Sequence, residues 1–166
     1  MDIPRRKEIR LPGYDYSQAG FYFLTICTQH RLCLFGKILA GDLVHNDAGK
    51  MIQRWWKKLE QKFPEIILHD SVVMPNHVHG IIQIQRSKEE SREEAPSVAT
   101  MIQWFKTMSM NEYIQGVKQQ EWRPFSKRLW QRNYYEHIIR DEDSYHEIVE
   151  YIRSNPQNWG KDKYYM

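Results

Sequence analysis

Two histidines separated by one residue, His77 and His79, could form half of a metal site. They open an apolar run that follows Pro75-Asn76, so the stretch is typical of a strand entered through a bend. Side chains alternate along a strand, which places both imidazoles on one face, roughly 7 Å apart. Neutral imidazole is among the commonest metal ligands. The alternative is that both are ordinary polar residues of a half-buried strand, and the pair alone does not decide between the two.

A tyrosine and an asparagine further along the chain could supply the other half of the site. Tyr151 and Asn155 lie four residues apart in a predicted helix, so they share one face of it. At about 100° per residue, Tyr151 falls about 110° from the centre of the apolar stripe, at the shoulder where the helix meets its sheet. Its hydroxyl can therefore point into a cleft, and the Asn155 amide oxygen suits a hard divalent cation. The stripe itself consists of Tyr145, Ile148, Val149 and Ile152.

Other tyrosines and histidines are weaker candidates. Tyr145 lies on the stripe and is expected in the core. Tyr134 and Tyr135 lie in a predicted strand and face opposite ways, so one of them could approach the metal. The remaining histidines have no comparable partner and are interpreted as surface or hydrogen-bonded residues, and among them are His45, His69, His137 and His146.

The elements that must position these residues alternate between strands and helices. Hydrophobic patterning predicts strands over 21–27, 65–73 and 78–84, a hairpin within 32–43, and a strand or extended segment over 129–140. The short bend between the strands at 65–73 and 78–84 makes them antiparallel neighbours. This favours an antiparallel α+β fold over a parallel doubly wound sheet.

The first predicted helix is the clearest local pattern. Asn46 or Asp47 can cap its start, and Pro64 ends it. Trp55 lies on its apolar stripe and is expected in the core.

Two more helices follow. Ser97 caps the second helix, and the third begins near Asp143 or Ser144. Pro156 must end the third helix, because the residue before a proline disfavours helical dihedrals.

Composition indicates a soluble protein with one domain, residues 1–166. That length can bury a core, and 41% hydrophobic with 27% charged residues is ordinary for a globular chain. Cys27 and Cys33 match no zinc or redox spacing, which favours a reducing compartment. No apolar run of the secretory kind follows the N-terminus, and the longest apolar stretch, 21–27, is too short to span a bilayer. We therefore expect a cytoplasmic protein with no membrane partner.

The spacing of the chemical residues resembles that of a known family. His77-Val78-His79 is similar to the His-hydrophobic-His motif of the HUH endonucleases. The stretch from Tyr151 to Pro156 resembles the nucleophile helix of the single-tyrosine HUH transposases. Trp130-Gln131-Arg132 and Asn155-Pro156 are most similar to the branch associated with repetitive extragenic palindromes. The matching stretches, 20–28, 73–82 and 130–159, are spread over most of the chain.

The resemblance implies a fold and a chemistry. The fold would be ferredoxin-like, with helices packed on one face of a central antiparallel sheet and the nucleophile helix near the C-terminus closing on the site. Tyr151 would attack a DNA phosphodiester, giving a 5′-phosphotyrosine link and a free 3′-OH. The cofactor would be Mg²⁺ or Mn²⁺, held by His77, His79 and Asn155. The substrate would be single-stranded or hairpin DNA, cut by a monomer or by a homodimer that exchanges the tyrosine helix.

Basic residues are unevenly distributed, which bears on DNA binding. Five basic residues against one acidic residue lie between 118 and 132, interleaved with Trp122, Phe125 and Trp130. Cations with aromatics suit single-stranded nucleic acid, whereas the alternative is a solvated loop whose aromatics anchor it to the core. A second cluster near the N-terminus could contact the DNA backbone. The candidate DNA-binding residues are Arg5, Arg6, Arg10, Lys118, Arg123, Lys127, Arg128 and Arg132.

Two other functions remain alternatives to a transposase. A nicking endonuclease of the replication-initiator or relaxase kind would share the chemistry but serve another pathway. A regulator derived from a transposase would bind hairpin DNA without cutting it. The charged segment 86–96 is interpreted as a mobile loop and has no assigned role.

Overall fold

The computed structural model describes residues 19–85 and 96–166. Its strands are β1 (Gly20–Cys27), β2 (Gly36–Leu39), β3 (Asp42–His45), β4 (Ile66–Met74), β5 (His77–Ile84) and β6 (Tyr135–Ile139). Its helices are α1 (Asp47–Lys62), α2 (Val98–Gln119) and α3 (Glu142–Ser154). The candidate DNA contacts Arg5, Arg6 and Arg10, and nearly all of the predicted loop over 86–96, lie outside the described residues.

Four strands form one antiparallel sheet in the order β4-β5-β1-β6, and β2 pairs with β3 as a separate hairpin. Without that hairpin, the elements follow the order β1-α1-β4-β5-α2-β6. The two strands at the centre of the sheet, β1 and β5, are therefore distant in sequence. This βαββαβ order with its central pair is the ferredoxin-like arrangement, so the predicted α+β fold is confirmed.

The two faces of the sheet carry different helices. Side chains of β1 such as Tyr22, Leu24 and Ile26 pack with α1 and α2 in the larger hydrophobic cluster. The alternate residue Phe23 packs instead with Val149 and Ile152 of α3 in a smaller cluster. Because side chains alternate along a strand, α1 and α2 cover one face while α3 lies on the other.

Local signals set the helix starts. Asn46 caps α1, where its Oδ1 accepts a hydrogen bond from the Gly49 N–H at 2.8 Å. Asp141 caps α3 by accepting from the Ser144 N–H at 2.7 Å, so the helix begins slightly earlier than the sequence predicts. None of the helices in the described part of the chain is both long and apolar enough to cross a membrane.

The tryptophan at the centre of the α1 interface is Trp56, not Trp55. Trp56 is buried, whereas Trp55 is partly buried at the edge of the same cluster. The prediction for Trp55 is confirmed in part: Trp55 packs against the core, but the adjacent Trp56, which also fits an approximate stripe, occupies its centre. Gly80 on β5 decides between them, since a Cβ at Gly80 would lie 2.2 Å from Trp56 Cζ2. Because Gly80 has no side chain, the Trp56 indole can pack directly against β5.

Candidate active site

Both histidines lie at the start of β5 on the face that α3 covers. The bend after β4 turns the chain so that His77 pairs with Cys27 and His79 pairs with Thr25 across the central strands. The two imidazole rings have their centroids 4.4 Å apart, and they are 0% and 1% exposed. The predicted strand and its shared face are thus present, and both rings are fully buried.

The hydrogen bonds of Asn76 fix the tautomer of His77. Asn76 Nδ2 donates to the carbonyl oxygens of Arg31 and Tyr164, at 3.2 and 2.8 Å. Its Oδ1 then faces His77 Nδ1 at 2.7 Å and can only accept, so Nδ1 carries the proton. The Nε2 of His77 therefore presents a lone pair to the site, as a metal ligand requires.

His79 is oriented by a hydroxyl in the same way. Its Nδ1 lies 2.8 Å from Thr25 Oγ1. Thr25 in turn has a hydrogen-bonding interaction with the Tyr164 hydroxyl, whose pKa is raised mainly by burial. With Nδ1 occupied, the Nε2 of His79 is the atom left to face the site, and it makes no hydrogen bond within the described residues.

The helix α3 brings Tyr151 to this pair. The Tyr151 ring lies 5.2 Å from the His79 ring and 6.2 Å from the Phe23 ring, centroid to centroid, and contacts the latter edge-on. Tyr151 is 40% exposed, in agreement with a position on the shoulder of the helix. Asn155 is 2% exposed and directs an amide that interacts with both His77 and Tyr151. The four residues singled out in the sequence therefore converge within one chain.

Sequence reasoning missed a fifth polar residue. Asp162 follows α3, and its Oδ2 lies 3.9 Å from His77 Nε2. The ligand atoms of His77, His79 and Asp162 all lie within 4.8 Å of one another. No sequence motif predicts the role of Asp162, because the turns after α3 bring it to the histidines and no fixed spacing relates them. Tyr164 was missed for the same reason. Asn76 and Thr25 were missed because their contacts with the histidines depend on the bend after β4 and on the pairing of β1 with β5.

The donor set fits a hard divalent cation. Four buried atoms around the site have no hydrogen-bond partner among the described residues: His77 Nε2, His79 Nε2, Asn155 Oδ1 and Asp162 Oδ2. A buried polar atom left unpaired costs about 1–3 kcal/mol, so four together need an explanation. Two imidazoles with amide and carboxylate oxygens are ligands that Mg²⁺ and Mn²⁺ accept. A bound cation would satisfy all four atoms.

Electrostatics favour neutral imidazoles. Burial lowers the pKa of His77 to about 4, although the nearby Asp162 opposes that shift. Burial also lowers the pKa of His79 well below its ordinary value, and the neighbouring His77 adds to the effect. Both rings are therefore unprotonated at neutral pH and able to bind a metal. Burial, followed by the charge of Asp162, raises the pKa of Tyr151, while its hydrogen bond with Asn155 opposes the rise.

A cleft of about 430 Å³ opens in front of Tyr151. Its walls include Tyr135 together with Lys161 and Lys163 from the turn after α3. The Lys163 ammonium lies 5.6 Å from the centre of the Tyr135 ring. Tyr135, one of the two alternative strand tyrosines, thus reaches the cleft, but Tyr151 is the one that contacts His79. The cleft therefore brings together a tyrosine, candidate ligand atoms and cationic groups.

A bulge in β4 attaches α3 to the sheet. The register jumps from Leu68 opposite Ile82 to Ser71 opposite Gly80, so His69 and Asp70 together oppose one residue. His69 Nδ1 lies 3.0 Å from the Tyr145 hydroxyl, and Arg153 Nε donates to Asp70 Oδ2 at 2.7 Å. Regular alternation would send two neighbouring side chains to opposite faces. Because of the bulge, His69 and Asp70 both contact α3, and their partners Tyr145 and Arg153 flank Tyr151 in the sequence.

The other tyrosines and histidines have ordinary roles. Tyr145 is partly buried and packs in the smaller cluster with Phe23. His45 Nε2 hydrogen-bonds to the Val73 carbonyl at 2.8 Å, and His137 and His146 are exposed. These residues are hydrogen-bonded or on the surface, as the sequence predicts.

The basic segment between 118 and 132 leads from α2 towards β6. Its aromatics are structural: Trp122 and Phe125 pack on Tyr113, and Trp130 is buried with its Nε1–H donating to Ser109 Oγ at 3.0 Å. The interpretation of these aromatics as base-stacking groups is therefore not supported. The candidate cations lie on the outside of this segment, with Arg128 partly buried and the others exposed: Lys118, Arg123, Lys127, Arg128 and Arg132.

Comparison with known proteins assigns the family. The family model described as "Transposase IS200 like" matches residues 22–155, which include both histidines, Tyr151 and Asn155. The chain therefore belongs to the IS200-like transposase family.

Individual relatives agree with this assignment. A Haemophilus influenzae protein of unassigned function is 38% identical over 99% of this chain and 95% of its own length. A second protein of that organism, provisionally named a REP-associated tyrosine transposase, is 24% identical over 88% of this chain and 75% of its own.

Two solved structures share the fold. One is a REP-associated tyrosine transposase bound to a REP hairpin, with a TM-score of 0.61 and 22% identity, covering 90% of this chain and 74% of that chain. The other is a provisionally named transposase from Deinococcus radiodurans, with a TM-score of 0.50 and 17% identity, covering 87% and 95%. At these identities the likeness establishes the fold alone.

Proposed function

We propose that this protein is a transposase that cleaves and rejoins single-stranded DNA at hairpin-flanked sites through a 5′-phosphotyrosine intermediate. The observation that carries the proposal is the position of Tyr151, whose ring lies 5.2 Å from that of His79 within the same chain. Four unpaired ligand atoms surround the same point. A nucleophile beside a preorganised cation site is the arrangement that phosphoryl transfer needs.

The cation would be Mg²⁺ or Mn²⁺, with His77 and His79 holding it and Asn155 as a further ligand. When bound, it would polarise the scissile phosphate and offset the charge that develops on its oxygens. The histidines can serve because their Nδ1 atoms are already engaged and their Nε2 atoms are free. The protein's own part is to hold these donors in place before the substrate arrives.

Tyr151 performs the attack. Its hydroxyl loses a proton to solvent and its oxygen bonds to phosphorus. The bond from phosphorus to the 3′-oxygen breaks, and that oxygen takes up a proton from solvent to leave as a 3′-OH. Because burial raises the Tyr151 pKa, the free phenol is a poor nucleophile at neutral pH and needs nearby positive charge. Lys161 and Lys163 line the same cleft and can pair with the phosphates on either side of the cut.

Rejoining follows from the same atoms. The phosphotyrosine link conserves the phosphodiester bond, so a 3′-OH can attack it, regenerate the DNA backbone and return the proton to Tyr151. No ATP is required for this step. The absence of a P-loop motif in the sequence is consistent with such a reaction.

DNA binding would fall to the basic residues of the segment 118–132 and of the N-terminal cluster. The cations of 118–132 are available for phosphate contacts, because its aromatics, and not its charges, hold the segment to the core. The structure with a TM-score of 0.61 is of a transposase bound to a REP hairpin, which supports a hairpin as the substrate here. Arg5, Arg6 and Arg10 complete the proposed set.

A labelled hairpin oligonucleotide with a single-stranded flank, incubated with Mn²⁺, tests the proposal. We expect a covalent protein–DNA adduct that Tyr151→Phe abolishes, while Tyr165→Phe, the same change at an exposed tyrosine outside the cleft, retains it. An adduct formed by Tyr151→Phe would disprove the nucleophile. A native protein that binds the hairpin but never cuts it would instead be a regulator.

A further inference from the structure

We propose that the segment Asp162–Tyr164 completes the metal centre, with Asp162 as its charged ligand and Tyr164 as the residue that positions both imidazoles. This inference rests on the proposed function, since it adds residues to the same cation site. The metal centre would then be formed by β5, α3 and the turns after α3, and not by β5 and α3 alone.

The Asp162 carboxylate has the geometry of a ligand. Its Oδ1 accepts the Tyr164 N–H at 2.9 Å, which fixes the orientation of the group. Its Oδ2 is buried, lies 3.9 Å from His77 Nε2 and makes no hydrogen bond among the described residues. A buried carboxylate oxygen that faces two imidazole lone pairs is unfavourable without a cation, because burying it unpaired is costly. A cation shared with the histidines removes that cost.

Charge distinguishes Asp162 from Asn155. Imidazole and amide ligands are neutral, so His77, His79 and Asn155 leave the full double charge of the ion in a buried pocket. A carboxylate neutralises part of that charge and is a preferred ligand of hard divalent ions. Ligands held about 2.1 Å from a small ion lie about 3–4 Å apart, so donors within 4.8 Å of one another need to move only slightly to bind it. Asp162 therefore supplies the charge that the neutral ligands lack.

Tyr164 reaches both histidines through different groups. Its carbonyl accepts from Asn76 Nδ2 at 2.8 Å, which turns Asn76 Oδ1 towards His77 Nδ1. Its hydroxyl interacts with Thr25, whose Oγ1 holds His79 Nδ1 at 2.8 Å. The Tyr164 ring lies over the pair, 4.7 Å from the His77 ring and 5.9 Å from the His79 ring. One residue thus supports the orientation in which both rings turn Nε2 towards the site.

The position of this segment is itself fixed by the fold. Arg31 Nη1 donates to the Lys163 carbonyl at 3.2 Å, and the Arg31 guanidinium carbon lies 5.7 Å from the centre of the Tyr164 ring. These contacts attach the segment to the turn after β1. The carboxylate and the histidines are therefore presented by independent parts of the chain.

Mn²⁺ titration of the metal-free full-length protein, followed by calorimetry without DNA, tests the role of Asp162. We expect Asp162→Asn, which preserves shape and removes charge, to weaken Mn²⁺ binding by more than about 10-fold. Asp143→Asn, an exposed change in the first turn of α3, should leave the affinity unchanged. An Asp162→Asn protein that binds Mn²⁺ as tightly as the native protein overturns the inference and leaves the proposed function intact. A native protein that binds no Mn²⁺ overturns both.

Tyr164→Phe tests the positioning role, with Tyr165→Phe as its control. Removing the Tyr164 hydroxyl ends its interaction with Thr25 but keeps the hydrogen bond from Asn76 to the Tyr164 carbonyl. Because only the support of His79 is lost, we expect Mn²⁺ affinity to fall by about 10-fold. Tyr165 is exposed, and the same change there should have no effect. Unfolding temperatures in EDTA establish that each variant is folded. If Asp162→Asn fails to fold, a crystal structure of the native protein with Mn²⁺ decides: an Asp162 oxygen on the ion supports the inference, and its absence from the ion overturns it.

Discussion

The imidazole of His79 and the phenol of Tyr151 lie 5.2 Å apart, centroid to centroid, although one belongs to β5 and the other to α3 of the same chain. Neither a partner chain nor an exchanged helix is needed to bring them together. The histidine pair, Tyr151 and Asn155 thus come together as candidate catalytic groups within one chain.

Complementation tests this arrangement in cis. We expect a mixture of His77→Gln chains and Tyr151→Phe chains to form no DNA adduct, because no chain carries both halves of a site. The measurement is adduct yield on a labelled hairpin, with each variant and the native protein assayed separately. Recovery of about a quarter of native activity in the mixture would show that chains exchange the tyrosine helix.

The contact between Asp70 and Arg153 should set the position of Tyr151. Arg153→Ala removes the hydrogen bond at 2.7 Å, and because the pair is largely exposed the free energy of unfolding should fall by less than about 1 kcal/mol. The cleavage rate should fall on the order of 10-fold or more, since a small displacement of a nucleophile is costly. Single-turnover kinetics measure the cleavage rate, and Mn²⁺ titration shows whether metal binding has changed as well.

The control and the rescue keep that test specific. Arg140→Ala, an exposed change just after β6, should leave cleavage unchanged. The charge exchange Asp70→Arg with Arg153→Asp should recover part of the rate. If Arg153→Ala lost Mn²⁺ affinity by as large a factor as it lost cleavage rate, the result would contradict a purely positional role.

Acid should destabilise the metal-free protein through its buried histidines. The pKa of His77 is lowered to about 4 by burial, whereas in the unfolded chain it is about 6.5. The unfolded state therefore binds a proton first as the pH falls, and the free energy of unfolding should decrease by about 2 kcal/mol between pH 7 and pH 5 from His77 alone. His79 acts in the same direction. Urea unfolding in EDTA at the two pH values measures the change.

The variant comparison isolates these two rings. A protein with His77→Gln and His79→Gln should lose most of the pH dependence, while His146→Gln, at an exposed position, should keep it. Native stability that does not decrease towards pH 5 would show that the histidines are not held neutral.

Gly80→Ala should overpack the interface between β5 and α1. Its Cβ would lie 2.2 Å from Trp56 Cζ2, so the indole or the strand must shift. We expect the free energy of unfolding to fall by about 1–3 kcal/mol. Gly160→Ala, where a Cβ would have nothing within 4 Å, should change it by less than about 0.5 kcal/mol. Equal stabilities of the two variants, measured by urea unfolding, would contradict the packing account.

The basic segment should control the salt dependence of DNA binding. Replacing Arg123, Lys127 and Arg128 together with Gln should weaken hairpin binding and reduce the slope of log affinity against log salt by about 2, because each phosphate contact contributes about 0.7. The matched control replaces three exposed lysines of α1, on the opposite face of the sheet from α3: Lys50, Lys57 and Lys62. Fluorescence anisotropy at several salt concentrations gives both slopes. An unchanged slope in the first variant would place the DNA elsewhere.

Much of this architecture follows from local sequence. The bend at Pro75-Asn76, the capping residue Asn46 and the alternating pattern of β5 each act over a few residues, so they could be recognised without the fold. The same holds for the spacing of Tyr151 and Asn155 on one helical face. A pattern that is local in the chain is predictable because its physical cause is local.

The rest depends on contacts between distant residues. Trp55 and Trp56 differ by one position, and only Gly80 across the interface decides which indole is buried. Asp162 reaches His77 through the turns after α3, which no periodicity describes. The bulge at His69 and Asp70 likewise appears only when β4 is paired with β5.

That bulge also affects how the sheet meets other molecules. Within residues 19–85 and 96–166, β4 is at the edge of the sheet. An edge strand with a regular row of free N–H and C=O groups can add a strand from another chain. The irregularity after Leu68 interrupts that row, and the charged side chain of Asp70 lies at the interruption. The feature that attaches the tyrosine helix therefore also makes this edge a poor template for sheet extension and aggregation.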